Sequence, residues 1–153
     1  MIIVSEPKNS VYRNLINLAF DLCDKFILVE RKDIDFNGNA KSILEKLKVN
    51  LIEVKEQSSW AGNKLGDSTA YVYHYSTDLH AREIISEVSD SLYSWVQPNY
   101  PEDLSFYKNG ISWLVNNAHE KSGYIITEKK AEIDMIKSIK GLEVEDFDYL
   151  PFD

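Results

Sequence analysis

The sequence is poor in cysteine and lacks any long apolar run. Cys23 is its one cysteine among 153 residues. A lone cysteine cannot form an internal disulfide, whereas small secreted domains usually depend on several. Residues 1–10 lack the basic start and the apolar core of a signal peptide, and no stretch approaches the roughly 18 apolar residues that cross a bilayer. We therefore expect a cytoplasmic protein without a membrane segment.

Positive charge is also scarce. The chain has 17 Lys and Arg residues against 25 Asp and Glu residues, which gives a net charge of −8. Binding to nucleic acids and to anionic lipids draws on Lys and Arg, so this balance disfavours both classes of partner. It remains compatible with a basic protein partner.

Metal ligands are few and badly spaced. The three histidines, His74, His80 and His119, include no pair at the i, i+4 spacing of a helical zinc motif. Cys23 falls on the apolar side of a predicted helix, where a buried thiol is inert. We expect neither a metal site nor a cofactor.

What the sequence does contain is the pattern of one mixed α and β domain. Its length fits a single domain, and hydrophobic periodicity predicts the order β-α-β-α-β-β-α-β-β-β-α. We place one globular domain at residues 1–142, with a mixed sheet and about four helices. The first half is predicted to hold parallel strands joined by helices, and the C-terminal half an antiparallel meander. Asn109-Gly110 predicts a tight hairpin turn between two of its strands, and an apolar stripe predicts that a helix starting after Asp78 continues to Trp95.

Four polar residues form a candidate catalytic site. Glu102 and Asp103 follow Pro101, and His119 and Glu120 fall at a predicted turn between strands. His-Glu opens the zinc-protease motif, but the second histidine of that motif is missing. Adjacent carboxylates on an extended segment point to opposite sides, so we expect structural roles for Glu102 and Asp103. Catalysis would require the two turns to meet in space.

Two other features point to partner binding. Trp60 lies in the longest polar loop, where it can either anchor a partner or pin the loop to the core. Residues 143–153 hold five acidic and no basic side chains, and we interpret them as a tail or an edge strand. Acidic and aromatic side chains together suit a basic surface. The proposed partner-binding residues are Trp60, Phe147, Asp148, Tyr149 and Phe152.

One block of sequence carries a family resemblance. Residues 100–107 read YPEDLSFY and are followed by Trp113-Leu114 and His119-Glu120. Together with residues 26–31 (FILVER) and 60–62 (WAG), this block resembles a family of small bacterial cytosolic proteins of unknown function, some of which carry a stage III sporulation label. The resemblance covers most of residues 1–127. It implies an immunity-type or accessory role near toxins and brings no established catalytic residues.

Three functions follow from these observations. The favoured one is a non-catalytic protein-binding module, in its specific form an immunity-type protein that binds a basic toxin domain. The second is an enzyme with a site near His119 and Glu120. The third is a self-assembling structural or small-ligand-binding subunit that uses Tyr71, Tyr73 and Tyr75 on one strand face. The sequence leaves the oligomeric state open.

Overall fold

The computed structural model describes residues 1–147. Within them, four α-helices accompany an eight-stranded sheet and a small hairpin. The helices are α1 (Ser10–Leu22), α2 (Gly38–Leu47), α3 (Leu79–Val88) and α4 (Lys130–Lys137). The strands are β1 (Ile2–Ile3), β2 (Lys25–Glu30), β3 (Leu51–Gln57), β4 (Ser59–Trp60), β5 (Asn63–Lys64), β6 (Ala70–Ser76), β7 (Glu102–Lys108), β8 (Ile111–Asn117), β9 (Ser122–Ile125) and β10 (Val144–Glu145). Short 3₁₀ turns occupy Lys48–Asn50, Leu92–Ser94 and Ala118–Glu120. The mixed α and β class and the single domain are confirmed.

The strand order of the sheet is β10-β1-β9-β8-β7-β2-β6-β3. Following the pairings across it shows that β1, β2 and β3 run in one direction, as strands joined by helices should. However, strands from later in the chain lie between them, so every pairing within residues 1–147 is antiparallel. The parallel strands expected in the first half thus share a direction but do not pair with one another. Hydrophobic patterns indicate strands but not the order in which distant strands insert.

The hairpin between β7 and β8 is confirmed. Asn109 and Gly110 both adopt positive φ angles, 51° and 81°. Two successive positive φ angles match the twist of antiparallel strands, which is why Asn-Gly is favoured in such turns.

The third helix ends earlier than its apolar stripe predicted. Helix α3 stops at Val88, because the Ser89 hydroxyl bonds to the Ser91 backbone. This hydroxyl donates to the Ser91 carbonyl and accepts from the Ser91 N–H. Such local bonds compete with helical ones. Leu92 and Trp95 are buried all the same. The stripe thus identified core residues correctly but extended the helix beyond its end.

The sheet buries both faces to different degrees. Alternate residues of β2, such as Phe26 and Leu28, point into the main core with α1, α2 and α3. Ile27 and Val29 point the other way, into a smaller cluster closed by Trp60 from the loop that carries β4 and β5. Of the helices described, none has the length and hydropathy needed to span a membrane.

Trp113 on β8 tests the packing of the main core. Its side chain is 2% exposed and its indole Nε1 donates to Glu132 Oε1. We predict that Trp113→Ala lowers the free energy of unfolding by about 3–5 kcal/mol, measured by denaturant titration. Ile111→Ala is the matched control, since Ile111 lies on the same strand and is 69% exposed. A loss below about 1 kcal/mol for Trp113→Ala would contradict a core position.

Candidate functional site

A buried polar cluster joins the end of β2, the loop of β4 and β5, and the start of β7. We call it the Asp103 cluster, and it consists of Arg31, Trp60, Asn63, Glu102 and Asp103. It unites residues from two separate sequence hypotheses, since Trp60 was considered a partner anchor and the two carboxylates a polar site.

Asp103 is the centre of the cluster. Its side chain is fully buried and its φ is 59°. Oδ2 accepts hydrogen bonds from Trp60 Nε1 at 3.0 Å and from Asn63 Nδ2 at 3.1 Å, and Oδ1 accepts one from the Ala118 backbone at 3.0 Å. Three donors thus compensate the cost of burying this carboxylate.

A bulge at Asp103 places both carboxylates beside one cation. The pairing of β7 with β2 shifts by one residue between Ser105 and Glu102, which interrupts the alternation of side chains. Arg31 Nε donates to Glu102 Oε2 at 2.6 Å, and Arg31 Nη2 lies 3.8 Å from Asp103 Oδ2. The expectation that these carboxylates point to opposite sides was therefore wrong, because it assumed a regular strand.

Arg31 is itself held from several directions. Its guanidinium lies over the Trp60 ring, 5.2 Å from the centroid. The Gln97 side chain pairs with its backbone, accepting from the Arg31 N–H at 2.6 Å and donating to the Arg31 carbonyl at 3.2 Å. Glu102 in turn accepts from the Gln97 backbone through its other oxygen, at 3.3 Å. The guanidinium is therefore fixed in place rather than free to follow a ligand.

Burial raises the pKa of the Asp103 carboxyl to about 6. The hydrogen bond from Trp60 lowers this pKa, the negative charge of Glu102 raises it, and the Ala118 bond and Arg31 lower it. Desolvation is the largest effect. The carboxyl group is thus mostly ionised at neutral pH, although burial makes its ionised form less stable than it would be in water.

Little of the cluster can reach a substrate. A pocket of about 470 Å³ lies beside it, and of the five cluster residues Arg31 alone lines it. Glu102 is 1% exposed and Asp103 fully buried. Asp103 holds the loop on the sheet, and Glu102 holds Arg31 beside it. Proton exchange with a ligand would require the loop to open.

His119 and Glu120 stay apart from this chemistry. The turn that carries them does meet Asp103, through the Ala118 N–H, yet both side chains are exposed. The structure therefore brings together Trp60, Glu102 and Asp103 and leaves His119 and Glu120 at the surface.

Trp60 pins its loop to the sheet. Its side chain is 6% exposed, which leaves a partner little surface to contact. The neighbouring Ala61 N–H donates to the Tyr107 hydroxyl at 3.1 Å. At Gly62, whose φ is 74°, a Cβ would lie 2.7 Å from a Val115 methyl group. The Trp-Ala-Gly sequence therefore fits a loop pressed closely against β8.

The C-terminal candidates are placed in part. Val144 and Glu145 form β10, which pairs with Ile2 and Ile3 at the sheet edge. Phe147 is half-buried, and its ring makes an edge-to-face contact with Tyr124 at 6.1 Å between centroids. The other three proposed binding residues, Asp148, Tyr149 and Phe152, lie outside the described residues.

Sequence reasoning missed Arg31, Asn63 and Gln97. Each acts on a residue 40 to 71 positions away, so neither periodicity nor local spacing marks it. A charged residue directly after the buried run of β2 was the one available signal. Across residues 1–147, no three His, Cys, Asp or Glu side chains are grouped so that they could hold a metal ion.

Replacing the central carboxylate tests the cluster. We predict that Asp103→Asn lowers the free energy of unfolding by about 1–3 kcal/mol, because an amide N–H would face donors that now bind oxygen. The raised pKa of Asp103 also makes the free energy of unfolding depend on pH, and the direction of this dependence follows from the pKa shift. Since the folded pKa of about 6 exceeds the reference value of 3.8, the wild-type group contributes stability that is present below pH 3.8 and is lost as the pH rises through about 6.

The advantage of the wild type over Asp103→Asn should therefore shrink between about pH 4 and pH 6. Denaturant titrations of both proteins across this range measure it. Glu120→Gln is the control, since this nearby exposed carboxylate should change the free energy of unfolding by less than about 0.5 kcal/mol. Equal effects of the two substitutions, or a constant difference across the pH range, would contradict the assigned environment.

Comparison with known proteins adds no relative. No protein-family model matches the chain, no curated protein matches it, and no solved structure matches it. The family resemblance expected for residues 1–127 therefore stays a prediction.

Proposed function

We propose that this chain is a non-catalytic protein-binding module that takes a basic protein domain at its C-terminal sheet edge. The observation that carries the proposal is a depression at this edge whose lining combines apolar side chains with two glutamates. In its specific form the proposal is an immunity-type protein whose partner is a basic toxin domain.

The depression is built where β10 joins β1. The Val4 N–H donates to the Glu143 carbonyl at 2.9 Å, just beyond the two paired residues of each strand. A pocket of about 350 Å³ lies there. The residues that line it are Val4, Lys137, Leu142, Glu143, Val144 and Glu145.

Its chemistry suits a basic side chain. Val4 is 51% exposed and contributes apolar surface, while Glu143 and Glu145 are exposed beside it. Lys and Arg side chains pack an apolar stem against apolar surface and keep the cation in water, which fits a lining that combines apolar side chains with carboxylates. Lys137 also lines the pocket and offsets part of the negative charge, so the two glutamates are needed together.

The charge of the whole chain supports the same partner class. Five acidic residues of a chain with net charge −8 fall within residues 143–153. Opposite charges steer association over about 10 Å at 0.1 M salt. Three of these acids, Glu143, Glu145 and Asp146, lie among the described residues, and they would draw a basic domain to this end of the sheet before short-range contacts form.

The enzyme alternative has less support. Asp103 and Glu102 are buried, and both are hydrogen-bonded to other side chains of the cluster. His119 and Glu120 are exposed and separate from them. A general acid or base must come within hydrogen-bond reach of its substrate, and the buried pair has no such access.

Neutralising the two rim glutamates tests the proposal. The first partner to examine is a basic toxin domain encoded immediately upstream, or else a protein captured by the tagged chain from its host and then purified. We predict that Glu143→Gln/Glu145→Gln slows association with this domain at about 0.05 M salt, and that the difference from the wild type fades at about 0.5 M. Kinetic binding measurements at both salt concentrations provide the readout.

The matched control is Glu83→Gln/Glu87→Gln, which removes the same charge from exposed positions on α3. It should leave the association rate closer to that of the wild type. Point substitutions are preferable to truncation at residue 142, because truncation would remove β10 from the edge of β1. If the control slows association as much as the rim variant does, net charge rather than this edge is responsible. A partner without excess positive charge would refute the proposal.

A further inference from the structure

The opposite edge of the sheet has a different character. Strand β3 is the last in the order and pairs with β6 on one side. It is seven residues long, and six of them are exposed. A long edge strand presents backbone donors and acceptors that can pair with another strand, and proteins usually protect such edges.

Exposed apolar side chains concentrate at this edge. Eight large apolar side chains are exposed among the described residues, and five of them lie here. We call them the β3 patch: Val49 (80% exposed), Leu51 (37%), Ile52 (57%), Val54 (45%) and Leu79 (73%). Leu79 lies beside the start of β3 because both of its sequence neighbours bind the Asn50 side chain. Asp78 Oδ2 accepts from Asn50 Nδ2 at 2.6 Å, and His80 Nδ1 lies 2.7 Å from Asn50 Oδ1. Concentrated apolar exposure of this kind marks an interaction surface.

We propose that the β3 patch is the contact between two copies of this chain, with the two β3 strands paired antiparallel about a two-fold axis. The argument for a second copy is the order of charges along the strand. Glu53 and Lys55 flank Val54 and point to the same face, where Lys55 Nζ lies 3.1 Å from Glu53 Oε1. Such a strand is complementary to itself when reversed.

Among the registers centred on Glu53, Val54 or Lys55, the charges favour one. A two-fold axis normal to the sheet keeps side chains on their own face. The strand must therefore pair so that one residue faces its own copy across the axis, rather than its sequence neighbour. Centring on Val54 places Glu53 of each copy opposite Lys55 of the other, and Val54 opposite itself. Centring on Glu53 or on Lys55 places like charges opposite each other, which destabilises antiparallel pairs.

The other charges at this edge do not oppose the pairing. Glu56 is bound by Lys32 Nζ at 3.0 Å. The pairing of β3 with β6 is irregular between Leu51 and Glu53, and this bulge lies outside the three central residues. The helices of both copies lie on one side of the joined sheet, and each β10 edge stays free. The dimer is therefore independent of the proposed basic partner.

Charge reversal tests the proposal on the full chain. The wild type is expected to sediment as a concentration-dependent dimer in analytical ultracentrifugation. Glu53→Lys and Lys55→Glu should each raise the dimer dissociation constant at least tenfold, because each creates like-charged pairs twice across the axis. The double variant Glu53→Lys/Lys55→Glu restores opposite charges and should return the dissociation constant to within a few-fold of the wild type.

Glu120→Lys in the turn after β8 is the control for a charge reversal away from the edge, and it should leave the dimer intact. A monomeric wild type at all concentrations overturns the proposal, as does a double variant that stays monomeric while the control dimerises. A second measurement does not depend on the folding of charge variants. Val54→Cys should form a disulfide between two copies under mild oxidation, whereas Lys55→Cys, displaced from the axis, should not. Equal cross-linking of both would overturn the register.

Discussion

The buried carboxylate of Asp103 is the contact on which the rest of the architecture depends. Its two oxygens bind the loop of β4 and β5 through Trp60 and Asn63, and the turn after β8 through Ala118. Arg31 at the end of β2 balances its charge together with that of Glu102. A buried acid is costly unless donors and a cation surround it. One side chain thus holds together segments that are far apart in sequence.

This arrangement determines which surfaces remain for function. With the loop held down, the second face of the sheet is closed over Ile27, Val29 and Val72, and both acids are withdrawn from solvent. Both ends of the sheet remain open. One end is acidic and carries a small depression of mixed lining, and the other is a longer strand with exposed apolar side chains and self-complementary charges. These two edges are the surfaces on which the proposed associations rely.

The sequence predicted features whose cause is local. Asn109-Gly110 predicted the hairpin correctly, because the conformation of a tight turn depends on the two residues within it. The stripe ending at Trp95 identified buried residues but overran α3, since Ser89 and Ser91 stop the helix through bonds of their own. Features with distant causes were not predictable. The insertion of β6 and β7 beside β2 follows from the packing of the whole sheet.

The candidate site shows the same division. Trp60, Glu102 and Asp103 were recognised as unusual, but their arrangement was not. The two interpretations of Trp60 were equally compatible with its sequence context, and the choice depends on an acceptor 43 positions away. Glu102 and Asp103 were expected on opposite sides because nothing in their spacing reveals the bulge. Arg31 entered only as the last residue of the FILVER segment, with no role assigned to it.

Hydrogen exchange of backbone amides, followed by mass spectrometry, tests the central role of Asp103 most directly. In the wild type, the backbone amides of the β4–β5 loop and of the turn at Ala118–Glu120 should exchange more slowly than those of other surface segments. In Asp103→Asn both segments should exchange faster together, while amides in α1 keep their protection. If the loop exchanges freely in the wild type, or if the substitution affects one segment without the other, Asp103 does not hold these parts of the chain together.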